Sequence, residues 1–364
     1  MSPRAGIIAG KSIIVVQVQD SVDAALKRIG SNLNKFSAKV NRLGFEMFSG
    51  GFLGSLGLTA LAKQFEDFED KILFLSTKLV ATEAELAGVE KTIRQLGRTT
   101  SFTASQVADA ATVLAQAGFN AAQVTKLLQP TLDLARGAQI DLASSGAILA
   151  NTLRSFSLEA DKATEVASQF IAAARLGTLD VLDLKESIKE VLGTVRNLNI
   201  DLPTTLALIT QLAERSLKGT KAGTSLNTAL LQLASKGKQL AKLGITLPEN
   251  IDGPGFIKFL EKLYVTINKL GNLKRTAVLQ SIFNIRGGRA ITALDDIKKI
   301  IDLQKQIAAA GDEARKAAVK MDSGFGGAIR RASSAIESLT LRWGKLLADA
   351  IIPTLDLVPA LSLA

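Results

Sequence analysis

The stretch LGRTTSFTASQVADAATVLAQAGF, Leu96 to Phe119, contains the signals that decide the fold. Thr103 and Gln106 have the spacing of a capping box, in which two side chains satisfy free backbone N–H groups at the start of a helix. Small apolar residues then recur on one face of a 3.6-residue helix, at Val107, Ala111, Leu114 and Ala115. Gly118 is the residue type that most often ends a helix in the left-handed conformation. The stretch therefore predicts a helix that begins at Thr103 and ends near Gly118.

A second helix is predicted directly after the first. Asn120 can cap it, and the apolar rhythm resumes at Ala121, Val124, Leu127 and Leu128. Further helix starts are predicted at Asp141 and Asp180, with their second helices near Ser157 and Asp201. The first helices are thus spaced by 38 and 39 residues. Divergent two-helix repeats would give such a period, and so would a coincidence of helix lengths. Either origin predicts a helical array.

The composition of the chain favours an all-α protein and excludes several kinds of chemistry. The 364 residues include only 7 prolines, no cysteine, no histidine, one tryptophan and one tyrosine. Without cysteine there are no disulfides and no thiolate metal sites. Without histidine there is no Ser-His or Cys-His catalysis and no imidazole metal ligand. We therefore predict no cofactor, no metal, no catalytic residue and no enzymatic activity.

The net charge of +10 is concentrated at the two ends of the chain. Residues 1–60 carry +4, residues 61–200 carry −3 and residues 201–364 carry +9. A basic surface can face nucleic acid or an acidic protein wall. The chain has few aromatic residues between its charges to stack on bases. A solvated basic face is the favoured interpretation.

The organisation along the chain suggests five parts. Residues 1–42 form an arm with one short strand, Ile13 to Val18, and an amphipathic helix with a coiled-coil-like stripe from Val22 to Val40. The other parts are an apolar, glycine-rich hinge or membrane-contact segment over 43–62, a helical core over 63–247, the end of that core over 248–300, and amphipathic helices with an apolar tail over 301–364. A loop at Pro248 and Pro254 separates the third part from the fourth.

Long helices are expected on both sides of the array. One is predicted from about Thr59 to Leu96. Another is predicted from Ala290 to Trp343, with breaks at Gly311 and at Gly324 to Gly327. The predicted fold class is thus all-α, with long amphipathic helices, stacked helical hairpins and one short N-terminal strand or extended arm.

Three motifs suggest chemistry, and in each case a structural interpretation is stronger. Gly10-Lys11-Ser12 ends like a phosphate-binding loop, but the required earlier glycine is replaced by Ala5. The sequence Arg286 to Arg289, RGGR, is interpreted as a helix break flanked by solvated charge. In FEDFED, Phe65 to Asp70, the carboxylates are expected on the solvated face of a helix whose phenylalanines point inward.

Five separated blocks of this chain resemble successive blocks of the phage tail tape-measure protein core, in the same order, over about residues 65–300. The blocks are FEDFEDKILFLS, LGRTTSFTASQVADAATVLAQAGF, PTLDLARGAQIDL, LKGTKAGTSLNTALLQLA and LQSIFNIRGGRAITAL. The residues that carry the motif, with an expected structural role, are Phe65, Phe68, Gly97, Arg98, Thr99, Thr100, Ser101, Phe102, Gly118, Phe119, Gly219, Ala222 and Gly223.

The resemblance implies a helical ruler and scaffold around which the tail tube assembles, which sets tail length and is released during DNA ejection. Its implied partners are the tail tube protein, tail tip or baseplate hub proteins, tail assembly chaperones and further copies of itself, with a trimer suspected. DNA is expected only as a neighbour in the tail lumen. The implied location is the tail tube lumen of the virion, and the host cytoplasm during assembly.

The apolar segment from Leu43 to Ala62 carries the main alternative. It approaches the length of a membrane span but contains Glu46 and five glycines, so a hinge or a protein-buried helix start is favoured. The resemblance implies transient contact with the host membrane, and the residues expected to make it are Phe45, Phe48, Phe52 and Leu53. The alternative function is a membrane-active or pore-forming helical protein that assists DNA passage. A peptidoglycan hydrolase is a third class, for which the sequence offers no candidate residue.

Overall fold

The structure is a computed structural model that describes residues 52–246 and 252–355. These residues form sixteen α-helices and a short 3₁₀ turn at Ala160–Lys162, and they contain no β-strand. The helices are α1 Phe52–Lys78, α2 Glu83–Thr99, α3 Ala104–Gln116, α4 Ala121–Ala138, α5 Leu142–Ser155, α6 Ala163–Leu176, α7 Val181–Asn197, α8 Leu202–Glu214, α9 Gly219–Ser235, α10 Gly237–Ala241, α11 Gly253–Asn268, α12 Asn272–Ile282, α13 Ile285–Ala293, α14 Ile297–Ala308, α15 Glu313–Met321 and α16 Phe325–Leu355. The all-α prediction is confirmed, whereas the predicted strand and the amphipathic helix with the stripe from Val22 to Val40 lie outside the described residues.

Polar capping residues begin five of the six helices from α3 to α8, as predicted, and α6 is the exception. Thr103 and Gln106 form the capping box of α3, and Asn120 forms another with Gln123 at the start of α4. Asp141 and Asp180 each accept a hydrogen bond from the backbone N–H three residues later. Each cap satisfies one of the four N–H groups that a helix start leaves free.

Six helices end in the same local geometry, a Schellman motif. A residue with positive φ ends the helix, and the next residue is apolar and donates its N–H to the carbonyl five positions earlier. That apolar side chain then packs against the core. The pairs are Gly118–Phe119, Gln139–Ile140, Ser157–Leu158, Asn199–Ile200, Ser216–Leu217 and Gly244–Ile245.

The helices from α3 to α8 form three stacked hairpins. The first helices α3 and α5 contact each other, and α7 contacts α5. The second helices α4, α6 and α8 pack side by side in the same order. Helices α9 to α13 follow the third hairpin. The chain then runs back along the row of second helices, where α14 packs on α8 and α6, and α15 packs on α6 and α4. The last helix, α16, packs on α2 and α1.

This return path places the second helices of the hairpins between two layers of neighbours. In α8, every residue from Thr204 to Ala213 is buried, which requires a helix that is apolar or small on all sides. Its sequence TTLALITQLA meets that requirement except at Gln211, whose side-chain amide donates to the Ala293 carbonyl at 3.5 Å. The core of the described region therefore lies along the row of second helices.

Four predictions of helix boundaries are wrong. The long helix from Thr59 to Leu96 is two helices, because Thr82 and Glu85 form a capping box that begins α2. Ser157 does not begin a helix. It has φ of 53° and ends α5, and α6 begins only at Ala163 after the 3₁₀ turn.

The other two corrections concern the C-terminal third. The glycine pair of RGGR is not a helix break but the first turn of α13, where the Asn284 side chain accepts from the Gly287 N–H. The first glycine packs closely on α9, since the position of a Cβ at Gly287 lies 3.3 Å from the Cα of Ala229. The predicted long helix from Ala290 to Trp343 has an additional break between α13 and α14, where Asp296 caps a new helix.

Candidate functional site

The LGRTTSF block forms the turn between α2 and α3. The Thr100 hydroxyl donates to the Leu96 carbonyl at 2.8 Å and accepts from the Phe102 N–H at 3.2 Å. A Cβ at Gly97 would lie 2.6 Å from the backbone nitrogen of Ala104, so only glycine permits this approach of the two helices. The turn is therefore a tight joint whose conformation depends on its own polar side chains.

Arg136 of α4 joins this turn to the segment that follows α15. Its guanidinium carbon lies 4.4 Å from the centre of the Phe102 ring, and its Nε donates to Ser101 Oγ at 3.0 Å. The same Nε lies 3.4 Å from a carboxylate oxygen of Asp322, which also accepts from Arg330 at 2.8 Å. The turn between α2 and α3, helix α4 and the segment after α15 thus meet at Arg136 and Asp322.

The pKa of Asp322 reflects this environment. Burial by itself raises the pKa of a carboxyl group, because it disfavours the charged form. Here the hydrogen bonds from Ser101 and Arg330, together with the positive charge of Arg136, outweigh burial, so the pKa of Asp322 lies below its usual value. The carboxylate is consequently charged at neutral pH and holds the arginines in place.

Helix α16 also contacts the turn between α2 and α3. The Ser334 hydroxyl is buried, lies 2.8 Å from the Phe102 carbonyl and also contacts the Gly97 carbonyl. One carboxylate oxygen of Glu337 accepts from the N–H and the hydroxyl of Ser105 at 2.9 and 2.6 Å. Ser105 is in the first turn of α3, where a negative charge is favourable. The motif turn is thus completed by residues more than two hundred positions away in sequence.

The four phenylalanines among the motif residues, Phe65, Phe68, Phe102 and Phe119, are buried, each with less than a tenth of its surface exposed. Three of them carry an arginine over the ring, a geometry that shields an aromatic face while the charge stays near solvent. The pairs are Phe68 with Arg94 at 4.4 Å, Phe102 with Arg136 at 4.4 Å and Phe119 with Arg154 at 5.0 Å. The fourth, Phe65, packs against Gly344 of α16.

Two further glycines of the motif, Gly219 and Gly223, form a second joint, between α7 and α9. A Cβ at Gly223 would overlap the carbonyl of Ser187, and Ala222 beside it is fully buried. The Ser187 hydroxyl reaches across the contact to the Gly219 carbonyl at 2.8 Å. Gly219 has φ of 55°, which few other residues adopt. These residues bring the two helix backbones into direct contact.

The other site residues from the sequence analysis lie elsewhere. Arg98 and Thr99 are exposed at the end of α2, and Gly118 ends α3 with φ of 83°. Phe52 and Leu53 are in the first turn of α1. Phe45 and Phe48 lie outside the described residues. Along the chain that the structure describes, no helix combines the length and the apolar character that a bilayer crossing requires.

A cleft of about 260 Å³ adjoins the motif turn and is lined by Thr99 to Phe102 together with residues of α4, α15 and the start of α16. Both carboxylates that line the cleft form ion pairs with arginines. Asp322 pairs with Arg136 and Arg330, and Asp133 pairs with Arg315 at 3.0 Å. In residues 52–246 and 252–355, no three acidic, histidine or cysteine side chains lie together in a way that would hold a metal ion. The polar groups of this site connect helices to one another.

The fold and the site together define an all-α array in which the motif residues serve as joints between helices. The chain belongs to the phage-related minor tail protein family, whose family model matches residues 90–284, more than half of the chain. Its place is accordingly the phage tail, a part of the virion.

Two relatives are tape-measure proteins. The tape measure protein of Pneumococcus phage Dp-1 is 30% identical over 230 residues, which cover 58% of this chain and 20% of that protein. The probable tape measure protein of Escherichia phage P2 is 24% identical over 266 residues, which cover 70% of this chain and 33% of that protein. The chain thus spans between a fifth and a third of the length of these relatives. No solved structure matches it.

Proposed function

We propose that this chain is the folded helical core of a phage tail tape-measure protein, a ruler and scaffold for tail-tube assembly that sets tail length and leaves the tail during DNA ejection. The observation that carries the proposal is the family match over residues 90–284, supported by the similarity of the chain to two tape-measure proteins. The motif residues support it as well, because their contacts join helices to one another. The proposed role requires no catalysis.

The structure indicates how such a chain would contribute to length. As one continuous helix, the chain would extend about 550 Å at about 1.5 Å per residue. Its described helices fold back on one another, since α14 and α15 return along the row of second helices. We therefore propose that this region has a fixed size, and that helix outside the packed array converts residues into tail length.

The proposed partners follow from the same role. They are the tail tube protein around the chain, the tail tip or baseplate hub proteins at one end, the assembly chaperones during construction of the tail, and further copies of the chain, with a trimer as the suspected state. The excess positive charge beyond residue 200 supports contact with an acidic inner wall of the tube. The proposed location within the virion is the tail tube lumen.

An insertion series in the phage that encodes this chain tests the ruler. A helical insert of about 28 residues placed directly after Leu355 should lengthen the tail by about 42 Å, at about 1.5 Å per residue. Electron micrographs of purified virions measure the tail length. The matched control carries the same insert within residues 247–251, between two segments that pack on the same array, and should leave the tail length unchanged. Tails of equal length in the two variants and the parent phage would contradict the ruler.

A further inference from the structure

Helix α16 contacts the array with two small residues and one leucine and leaves four other large apolar residues exposed. Ser334, Leu341 and Gly344 are buried on the side of α16 that faces the array. The outward residues are Phe325, Ile329, Ile336 and Leu339, exposed by 83%, 54%, 41% and 39%. A helix that served only to cover α1 to α3 would bury these four residues as it buries Leu341, because burial of large apolar side chains is what stabilises packed helices.

The outward residues form a regular stripe. Phe325, Ile329, Ala332, Ile336 and Leu339 follow one another at intervals of four and three residues, and Ala332 is also exposed. This alternation is the heptad pattern of a helix that packs along its length against one other helix. We call these five residues the outer stripe of α16. An exposed stripe of this length and regularity indicates a partner helix.

A segment of the same chain carries a matching pattern. Residues 22–40, outside the described residues, have apolar side chains at intervals of four, three, four, three and four residues. They are Val22, Leu26, Ile29, Leu33, Phe36 and Val40. We propose that residues 22–40 pack on the outer stripe of α16 as a parallel two-helix coiled coil. The proposal concerns how the chain folds and is independent of whether it measures tail length.

The path of the chain supports this occupant and its direction. Phe65 of α1 packs against Gly344, whereas Lys71, further along α1, bonds to Ser105, which bonds to Glu337. Helix α1 therefore runs antiparallel to α16, and its start lies toward the end of α16. A preceding helix that turns back to reach α1 would run parallel to α16.

The connection between Val40 and Phe52 is also long enough to allow this arrangement. Phe52 lies about 20 Å along α1 from Phe65, at about 1.5 Å per residue. The eleven residues 41–51 can extend over about 36 Å, at about 3.3 Å per residue. They can therefore join the start of α1 to a segment whose Val40 lies level with Trp343, which aligns Val22 with Phe325.

In this alignment the side chains are complementary in size. Ile29 lies opposite Ala332, the one small residue of the outer stripe. In a parallel pair of two α16 helices from different copies, Ala332 would face another Ala332 and leave a gap. The flanking positions on α16 are mostly small and uncharged, at Ala328, Ser333, Ala335 and Thr340. The segment therefore fits the outer stripe better than a second α16 does.

Introduced cysteines test the proposal directly, because the natural chain has none. The whole chain with Leu33→Cys and Ile336→Cys places both thiols in one layer of the coiled coil. Mild oxidation should form a disulfide within one chain, detected as a linked peptide by mass spectrometry. It should form about tenfold faster than in the control pair Ala38→Cys with Ile336→Cys, since residue 38 is on the opposite face of the segment.

A second pair, Phe36→Cys with Leu339→Cys, repeats the test one layer further along and guards against a local effect of the first substitutions. Equal rates in the test and control pairs would overturn the proposal. A disulfide between two chains of the Ile336→Cys single variant, formed at high dilution, would also overturn it and assign the outer stripe to a second copy.

Discussion

At the scale of single residues, two aspartates near the motif turn, Asp133 (buried) and Asp322 (partly buried), have pKa values that are shifted in opposite directions. Burial raises the pKa of Asp133, and the nearby charge of Arg315 opposes this only in part. For Asp322, hydrogen bonds and arginine charges outweigh burial, and its pKa falls below 3.8. Folding therefore favours the ionised carboxylate of Asp322 and the protonated carboxyl group of Asp133.

We predict opposite pH dependence for the two asparagine variants. A lowered pKa in the folded state contributes stability above the usual value of 3.8, and this contribution is lost as the pH falls through the folded-state pKa. Asp322→Asn should therefore cost roughly 1 to 2 kcal/mol at pH 7 and progressively less in acid. A raised pKa contributes stability only at low pH, so Asp133→Asn should cost little or nothing at pH 7.

Urea unfolding of both variants and the parent chain between pH 3 and pH 8 measures these differences. The Asp133 variant is the matched control, because it also removes a carboxylate that is paired with an arginine. An equal loss of stability at pH 7 in both variants would contradict the opposite pKa shifts.

At the scale of helices, the contact between α7 and α9 depends on the absence of a side chain at Gly223. We predict that Gly223→Ala destabilises the fold by about 1 to 3 kcal/mol, because its Cβ would overlap the Ser187 carbonyl and push the helices apart. Gly193, on α7, has no atom within 4 Å of the position of a Cβ. Gly193→Ala should therefore stabilise the fold by about 0.5 to 1 kcal/mol. Thermal unfolding measures both, and a stabilising Gly223→Ala would show that the contact is looser than described.

The starts of the helices were more predictable from sequence than their ends. A start is announced by a side chain that accepts a backbone N–H, as at Thr103 and Asp141, and this chemistry is local. An end requires only positive φ, and here Gln139, Ser157 and Asn199 adopt it without being glycine. Ser157 was therefore mistaken for a cap. The break before α2 did have a local signal, since Thr82 and Glu85 have the same spacing as Thr103 and Gln106.

The contacts of the motif residues were less predictable than the residues themselves. The structure places Gly97 and Phe102 at the first joint, and Gly219 and Gly223 at the second. Ser334 and Glu337, which complete the first joint, are 232 residues from the groups they contact. No local pattern encodes such a contact, because it arises only when the return path of the chain brings α16 over α3.

At the scale of the whole molecule, the two described segments form one packed array. The segment after residue 252 bonds to the segment before residue 246 through Asp133 with Arg315 and through Glu214 with Lys299. Helices α14 and α15 also bury apolar residues against α4, α6 and α8. The connection through residues 247–251 is thus not what keeps the two segments together.

We predict that a cut in this connection leaves the array assembled. A protease site introduced within residues 247–251 should be cleaved while both fragments elute together in size-exclusion chromatography, with nearly unchanged thermal stability. The uncleaved variant is the control. Fragments that elute separately would show that the returning helices contribute little to the stability of the array.

The repeated Schellman joints have an evolutionary consequence. Each joint is complete within a few residues: a left-handed residue, an apolar residue that packs against the core, and in most cases a polar residue that begins the next helix. Because no Schellman motif depends on a distant residue for its backbone hydrogen bonds, the geometry of each helix end would survive the gain or loss of a hairpin of about 40 residues. The returning helices α14 and α15 would have to change together with the hairpins, since they pack on α4, α6 and α8.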